Sequence, residues 1–259
     1  MDQLPHNTAD YNSISNIYDE VRTGEPEMVY HLLQDKKIVP GTLVLDVGCG
    51  TGNNTFLFEK AAKAQVHGID PSIGMLRKAV SKVPEVQFTQ AAAESLPFLE
   101  DTFDMVFMTE VIHHLQDTEI ALAEIHRILR DRGRLCIVTQ SHKQIEERVT
   151  SRFFPATVAI DKARYPSIAY IEATLLNIGF RAVWSRSCRF SPTILGEEYL
   201  NTISRRGYSM LHGISEHDFQ AGLDALRATY DRGERLDYAA GYTFVWAAKD
   251  TQPLTSIWI

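Results

Sequence analysis

The stretch LDVGCGTGNNT, Leu45 to Thr55, sets three glycines at alternate positions directly after an acid embedded in an apolar run. Gly48, Gly50 and Gly52 let the backbone bend tightly and let a ligand approach where any Cβ would hold it off. In an open parallel sheet, ligands bind at the carboxyl ends of the strands, and the first strand-to-helix turn is the usual contact. A dinucleotide fingerprint reads GxGxxG, with its third glycine where this chain has Asn53. The spacing here is GxGxG instead. Asp46, still on the strand, puts a negative charge where a pyrophosphate would lie, which favours a cationic group at that point. A second acid, Asp70 in VHGIDPS, ends the next strand-like segment. It follows the glycine turn by roughly the twenty residues at which nucleoside binders place a carboxylate for the ribose hydroxyls. The pair predicts a nucleoside with a positively charged tail.

Outward from this turn, helix-like and strand-like segments alternate, the pattern of a parallel sheet covered on both faces. Strands are predicted at 43–47, 65–69, 86–90, 105–109 and 134–139, with two more near 181–190 and 242–249. Asp117 caps a helix carrying Ile120, Leu122, Ile125, Ile128 and Leu129 that runs toward Gly133. Residues 141–166 show no clear period, and a helix resumes after Ser167 and stops at Gly179. About fifty residues separate the last two strands, too long a connection to be structureless. Leu195, Tyr199 and Ile203 share one helical face there, and Phe219, Leu223, Leu226 and Tyr230 share another. The expected division is an N-terminal lid helix at 1–25, a Rossmann-like core at 26–190, a helical cap at 191–240, and a final strand with the C-terminal tail at 241–259. The fold class is α/β, a seven-stranded mostly parallel sheet with helices on both faces.

With 259 residues, 44% of them hydrophobic, one large domain with a full core is expected. A formal net charge of −7 argues against nucleic acid or an anionic membrane as the main partner, since either rewards a basic face. Cys49, Cys136 and Cys188 are scattered and form no Cys-x-x-Cys pair, which points to a reduced, cytoplasmic protein. No segment has the length of a membrane span.

Four motifs in order are similar to those of the class I S-adenosylmethionine-dependent methyltransferases, in particular the small-molecule group with the ubiquinone and menaquinone biosynthesis enzymes. They are VLDVGCGTG, GIDPSIGML, AAAESLPF and FDMVFMTEVIHHL, and the resemblance covers about residues 10–140. It implies that the backbone around Gly48, Cys49 and Gly50 cradles the methionine part of S-adenosylmethionine, with Asp46 near its ammonium and Asp70 on the ribose. It further implies that Ala93, Glu94 and Ser95 flank the adenine, that Met75 packs on its face, and that Met108 and Thr109 border the methionine. Where the family often carries an acid for the adenine amine, this chain has Ala92. Tyr18 is the expected lid contact. His113 is the candidate base, by resemblance to O-methyltransferases that use this histidine pair. Tyr208, His212, His217 and Tyr238 are candidates to line an acceptor pocket. A sulfonium is already an excellent leaving group, so positioning the acceptor is the chief demand and no metal set is required. The expected reaction is methyl transfer to a small organic acceptor. The alternatives are cofactor binding without transfer, as in a regulator or cyclase, and tRNA methylation. Oligomeric state is not legible.

Overall fold

The computed structural model describes residues 24–34 and 38–250. Tyr18, the expected lid helix up to residue 23, and the tail from residue 251 lie outside the described residues. Five strands run parallel to one another: β1 (Leu43–Val47), β2 (Gln65–Asp70), β3 (Gln87–Gln90), β4 (Phe103–Thr109) and β5 (Leu129–Thr139). Two more complete the sheet, β6 (Arg181–Arg189) and the last strand, Gly241–Ala248, in the order β3, β2, β1, β4, β5, last strand, β6. The last strand is antiparallel to both its neighbours, so one strand of seven opposes the rest. This is the mostly parallel α/β sheet that the alternating pattern predicts. The strand order reverses between β1 and β4, and that switch point is where such a sheet opens for a ligand.

Alternation along the buried strands splits the core in two. Leu45, Val47, Val106, Met108, Leu135 and Ile137 face one way and pack with α4 (Thr118–Ile128) and α8 (Ile168–Ile178). Val44, Met105, Phe107, Cys136 and Val138 face the other way, toward α1 (Pro26–Gln34) and α2 (Asn53–Ala62). Helix α3 (Ile73–Lys82) covers β2 and β3, and Ser72 caps it by accepting a hydrogen bond from Met75 N. The expected caps elsewhere are also present: the Asp117 carboxylate accepts from Ile120 N at 2.9 Å, and Gly179 closes α8 with φ of 120°.

Two segments differ from their sequence pattern. The helix expected to carry Leu129 and to end before Gly133 stops at Ile128, because Leu129 turns extended and pairs with Phe103, and a register shift then separates this pair from the Met105–Arg134 pair. Arg130 secures the early exit with a salt bridge to Asp104 at 3.1 Å. Residues 141–166, without a period in the sequence, fold as three short helices: α5 (His142–Glu146), α6 (Val149–Phe153) and α7 (Ala156–Arg164). Five residues are too few to display a helical repeat. What marks α5 is its capping box, with Ser141 Oγ accepting from Gln144 N and Gln144 Oε1 accepting from Ser141 N.

These three helices join the cap. Phe154 packs in one apolar cluster with Ile203, Leu211, Phe219, Leu223 and Leu226, which belong to α9 (Glu197–Ser204), a short turn, and α10 (Glu216–Asp231). The layer over the sheet is thus built from two stretches of chain, 142–164 as well as the predicted 191–240. A two-stranded ribbon, β7 (Thr193–Ile194) with β8 (Asp237–Tyr238), ties the start of the second stretch to its end, and the last strand of the sheet becomes β9. Gly222 is needed where α10 crosses α6, since a Cβ there would lie 2.4 Å from the Phe154 ring and 2.6 Å from the carbonyl oxygen of Phe153.

Candidate active site

The turn after β1 is pinned to the end of β2. Gly48 N and Cys49 N both donate to the carbonyl of Ile69, at 2.8 and 2.9 Å. Gly48 has φ of 71°, and its missing Cβ would sit 2.4 Å from Cγ2 of Val111, so this glycine is required by both conformation and close packing. Gly50 has φ of 54° and no described atom within 4 Å of where its Cβ would be. One glycine therefore lets β4's exit pack against the turn, and the other leaves open space above the backbone.

Asp70 organises the rim of that space. Its two carboxylate oxygens accept from Gly50 N at 3.0 Å and Ser72 N at 2.8 Å. Burial nevertheless raises its pKa, outweighing both bonds. Asp46 is buried at 1% exposure, and its Oδ2 accepts from the Thr55 hydroxyl at 2.6 Å. Its Oδ1 has no hydrogen-bond partner among the described residues. Burial pushes its pKa up to about 7 against the Thr55 bond, with the Asp70 charge adding to the rise. A buried carboxylate oxygen without a donor is costly, and a cationic N–H group arriving from the turn would remove that cost. Cys49 sits between the two acids, and burial first, then both charges, push its thiol well up. It is an inert thiol in this setting.

The remaining sequence candidates fall in distinct places. Met75 is buried in the first turn of α3. Ala93 lies in the apolar cluster under α4, and Ser95 is exposed. Glu94 accepts from Gln116 N at 2.8 Å, tying the loop after β3 to the start of α4. Ala92 is exposed and gives its carbonyl to Ser95 N. The Met108 side chain is fully buried in the core cluster. Thr109 Oγ1 accepts from Asn54 Nδ2 at 3.1 Å, joining β4 to the first turn of α2. His113 stacks on Tyr165, with ring centroids 3.8 Å apart and an interplanar angle of 13°. His217 is an exposed surface residue, and the His212 ring bonds the Arg206 carbonyl at 2.9 Å within the cap, so neither joins this group.

The structure adds residues that the sequence did not single out. Glu110 follows Thr109 with φ of 58° and accepts from the Tyr165 hydroxyl at 3.2 Å. Arg148 lies over the Tyr165 ring at 5.3 Å; its Nε donates to Gln140 Oε1 at 2.7 Å and its Nη1 to Asp161. Glu110 stands inside the quoted FDMVFMTEVIHHL, but nothing in the letters shows its left-handed backbone. Arg148 and Tyr165 sit in the segment without a period, where the sequence carries no signal for them.

Residues 45–137 match the family model of the methyltransferase domain. A demethylmenaquinone methyltransferase of Streptomyces avermitilis is 37% identical over 103 residues, 40% of this chain and 44% of that protein. The chain thus spans less than half the length of this curated relative. Among solved structures, a putative methyltransferase from an antibiotic biosynthesis pathway of Anabaena variabilis aligns with a TM-score of 0.72 and 22% identity, over 88% of this chain and 99% of that one. The [4+2]-cyclase SpnF aligns with a TM-score of 0.59 and 18% identity, over 93% of this chain and 94% of that one. At such identities the two structures establish the fold alone. The matched residues include the glycine turn, Asp70 and the β4 exit, and the match ends inside β5.

Proposed function

We propose that the chain is an S-adenosylmethionine-dependent methyltransferase acting on a small organic acceptor held beneath the cap. The observation that carries this reading is the orphaned Asp46 Oδ1, buried beside an open glycine turn whose other rim is the Asp70 carboxylate. An α-ammonium satisfies the first acid and ribose hydroxyls satisfy the second, and S-adenosylmethionine bears both. When bound, the cofactor supplies an activated methyl group on a positively charged sulfur. The chain's part is to hold and orient. Gly48, Cys49 and Gly50 approach through their backbone, Asp46 and Asp70 grip opposite ends, and Met75, Ala93, Glu94 and Ser95 line the purine side. Thr109 and the Met108 backbone close the inner edge. The cap excludes water and aligns the acceptor, which is where most of the rate enhancement in such a displacement arises. His113, beside Tyr165, is the candidate base for a hydroxyl acceptor.

Asp46 makes binding depend on pH in a stated direction. Its folded-state pKa, about 7, lies above the ordinary 3.8, so the free folded protein holds an extra proton between those values and loses stability as pH rises through that window. An ammonium beside Oδ1 favours the carboxylate, so binding releases this proton. Calorimetry in buffers of different ionisation enthalpy should show up to one proton released per S-adenosylhomocysteine near pH 6. Affinity should fall by about tenfold per pH unit well below 7. A pH-independent affinity with no proton release contradicts the contact.

Transfer itself is tested by incubating the chain with methyl-labelled cofactor and a metabolite extract. Label entering an extract molecule supports the reading, whereas tight binding without turnover favours a non-transferring protein or a cyclase. Label entering RNA instead would revive the tRNA alternative, which the net charge of −7 disfavours.

A further inference from the structure

The exit of β4 carries a charged group that the cofactor reading leaves unused. Thr109 touches α2 through Asn54, and Val111 packs on Gly48. Glu110, between them, is therefore one residue from a contact with the glycine turn and one residue from a contact with the helix that follows it. Its left-handed backbone is unusual for a residue with a side chain. That conformation sends the carboxylate toward the cap, where it meets the Tyr165 hydroxyl. Glu110 and Arg148 both act electrostatically on Tyr238, which is half-buried in β8 and is pushed up chiefly by burial. One carboxylate thus stands among aromatic rings at the junction of sheet, cap and glycine turn.

The charges around it restrict what can be methylated there. The cation nearest to hand, Arg148, has each of its three nitrogens committed, two to Gln140 and one to Asp161. It braces α6 against α7, and the buried Asp161 carboxylate offsets its charge. A nucleophile that reacts as an oxyanion would bring negative charge against Glu110, which repels it. An amine nitrogen does the reverse, because it gains positive charge as its bond to carbon forms, and a fixed carboxylate stabilises that change. Aromatic faces also favour an ammonium over an anion.

Resting on the methyltransferase reading above, we propose that Glu110 selects an organic amine as the acceptor, its carboxylate pairing with the ammonium on binding and with the positive charge that the nitrogen regains on methylation. Between the two, the ammonium gives its proton to bulk water, and the freed lone pair takes the methyl group, whose former bonding pair stays on the departing sulfur. Glu110 remains a carboxylate throughout, and His113 supports the Tyr165 ring.

The test uses the full chain saturated with S-adenosylhomocysteine and three probes of one aromatic frame: tyramine, 3-(4-hydroxyphenyl)propionate and 4-ethylphenol. Binding is followed by NMR titration. Tyramine should bind at least about tenfold more tightly than the other two, and Glu110→Gln should erase that preference while S-adenosylhomocysteine affinity stays within twofold. The proposal is overturned if the carboxylate or the neutral probe binds as well as tyramine, if no probe binds, or if Glu110→Gln keeps the preference. The wild-type comparison alone suffices to refute it, so a poorly folded variant does not shield it. Failure of S-adenosylhomocysteine to bind at all is a separate result, which removes the cofactor reading and this proposal with it.

Discussion

Asp70→Ala is expected to weaken S-adenosylhomocysteine binding by about 100-fold or more while the chain remains folded. The carboxylate does two things at once. It accepts from Gly50 N and Ser72 N, which fixes the turn against the start of α3, and it presents its remaining lone pairs toward the open side of the turn. Hydrogen bonds to a charged group contribute roughly 1.5–3 kcal/mol each, so losing two to ribose hydroxyls corresponds to this factor or more. The site lies at the end of a strand and the core clusters do not include it, so the melting temperature should move by only a few degrees. Asp70→Asn keeps one carbonyl oxygen and should fall between wild type and alanine. Titration calorimetry on the three proteins reads the order directly, and an Asp70→Ala affinity within threefold of wild type would rule out the ribose contact.

The second large effect belongs to Gly48→Ala. An alanine at φ of 71° costs roughly 1–2 kcal/mol for the left-handed backbone alone. Its methyl would also meet Val111, whose Cγ2 lies 2.4 Å from the new Cβ, and overpacking of this kind adds about 1–3 kcal/mol. Relief requires moving either the turn or the β4 exit, and both border the proposed cofactor site. The expected outcome is a melting temperature lower by several degrees together with loss of measurable S-adenosylhomocysteine binding. Gly50→Ala separates the two contributions. Its Cβ meets no described atom, so stability should suffer only the backbone cost, while binding is blocked by a methyl group in the ligand's approach. If Gly50→Ala binds as well as wild type, the open space above Gly50 is not where the ligand sits.

The middle of the sheet was legible because β1, β4 and most of β9 are buried on both faces, and capped helices separate the parallel strands. LVLDV, MVFMT and YTFVWAAK announce themselves by composition, and Asp117, Ser167 and Gly179 mark their helix ends by known cap chemistry. The glycine turn and the place of Asp70 at its rim were legible for a related reason, since a tight bend and the proposed ribose contact each demand one residue type at one spacing. The cap's first half was not. Helices α5 and α6 are five residues each, and the packing of α6 against α10 depends on Phe154 meeting Phe219, far downstream in the chain. Glu110 was visible as a letter but not as a site residue. Its role follows from a positive φ and from Tyr165, which reaches it from 55 residues downstream. Met108 reads as a residue bordering the ligand, and strand alternation turns its side chain into the core with Val106 and Ile137.

The most direct test of the whole account is a calorimetric titration of the pure, folded chain with S-adenosylhomocysteine, NADH and FAD in parallel. One molecule of S-adenosylhomocysteine should bind per chain, with no uptake of the other two. Binding of NADH or FAD with none of S-adenosylhomocysteine would contradict it.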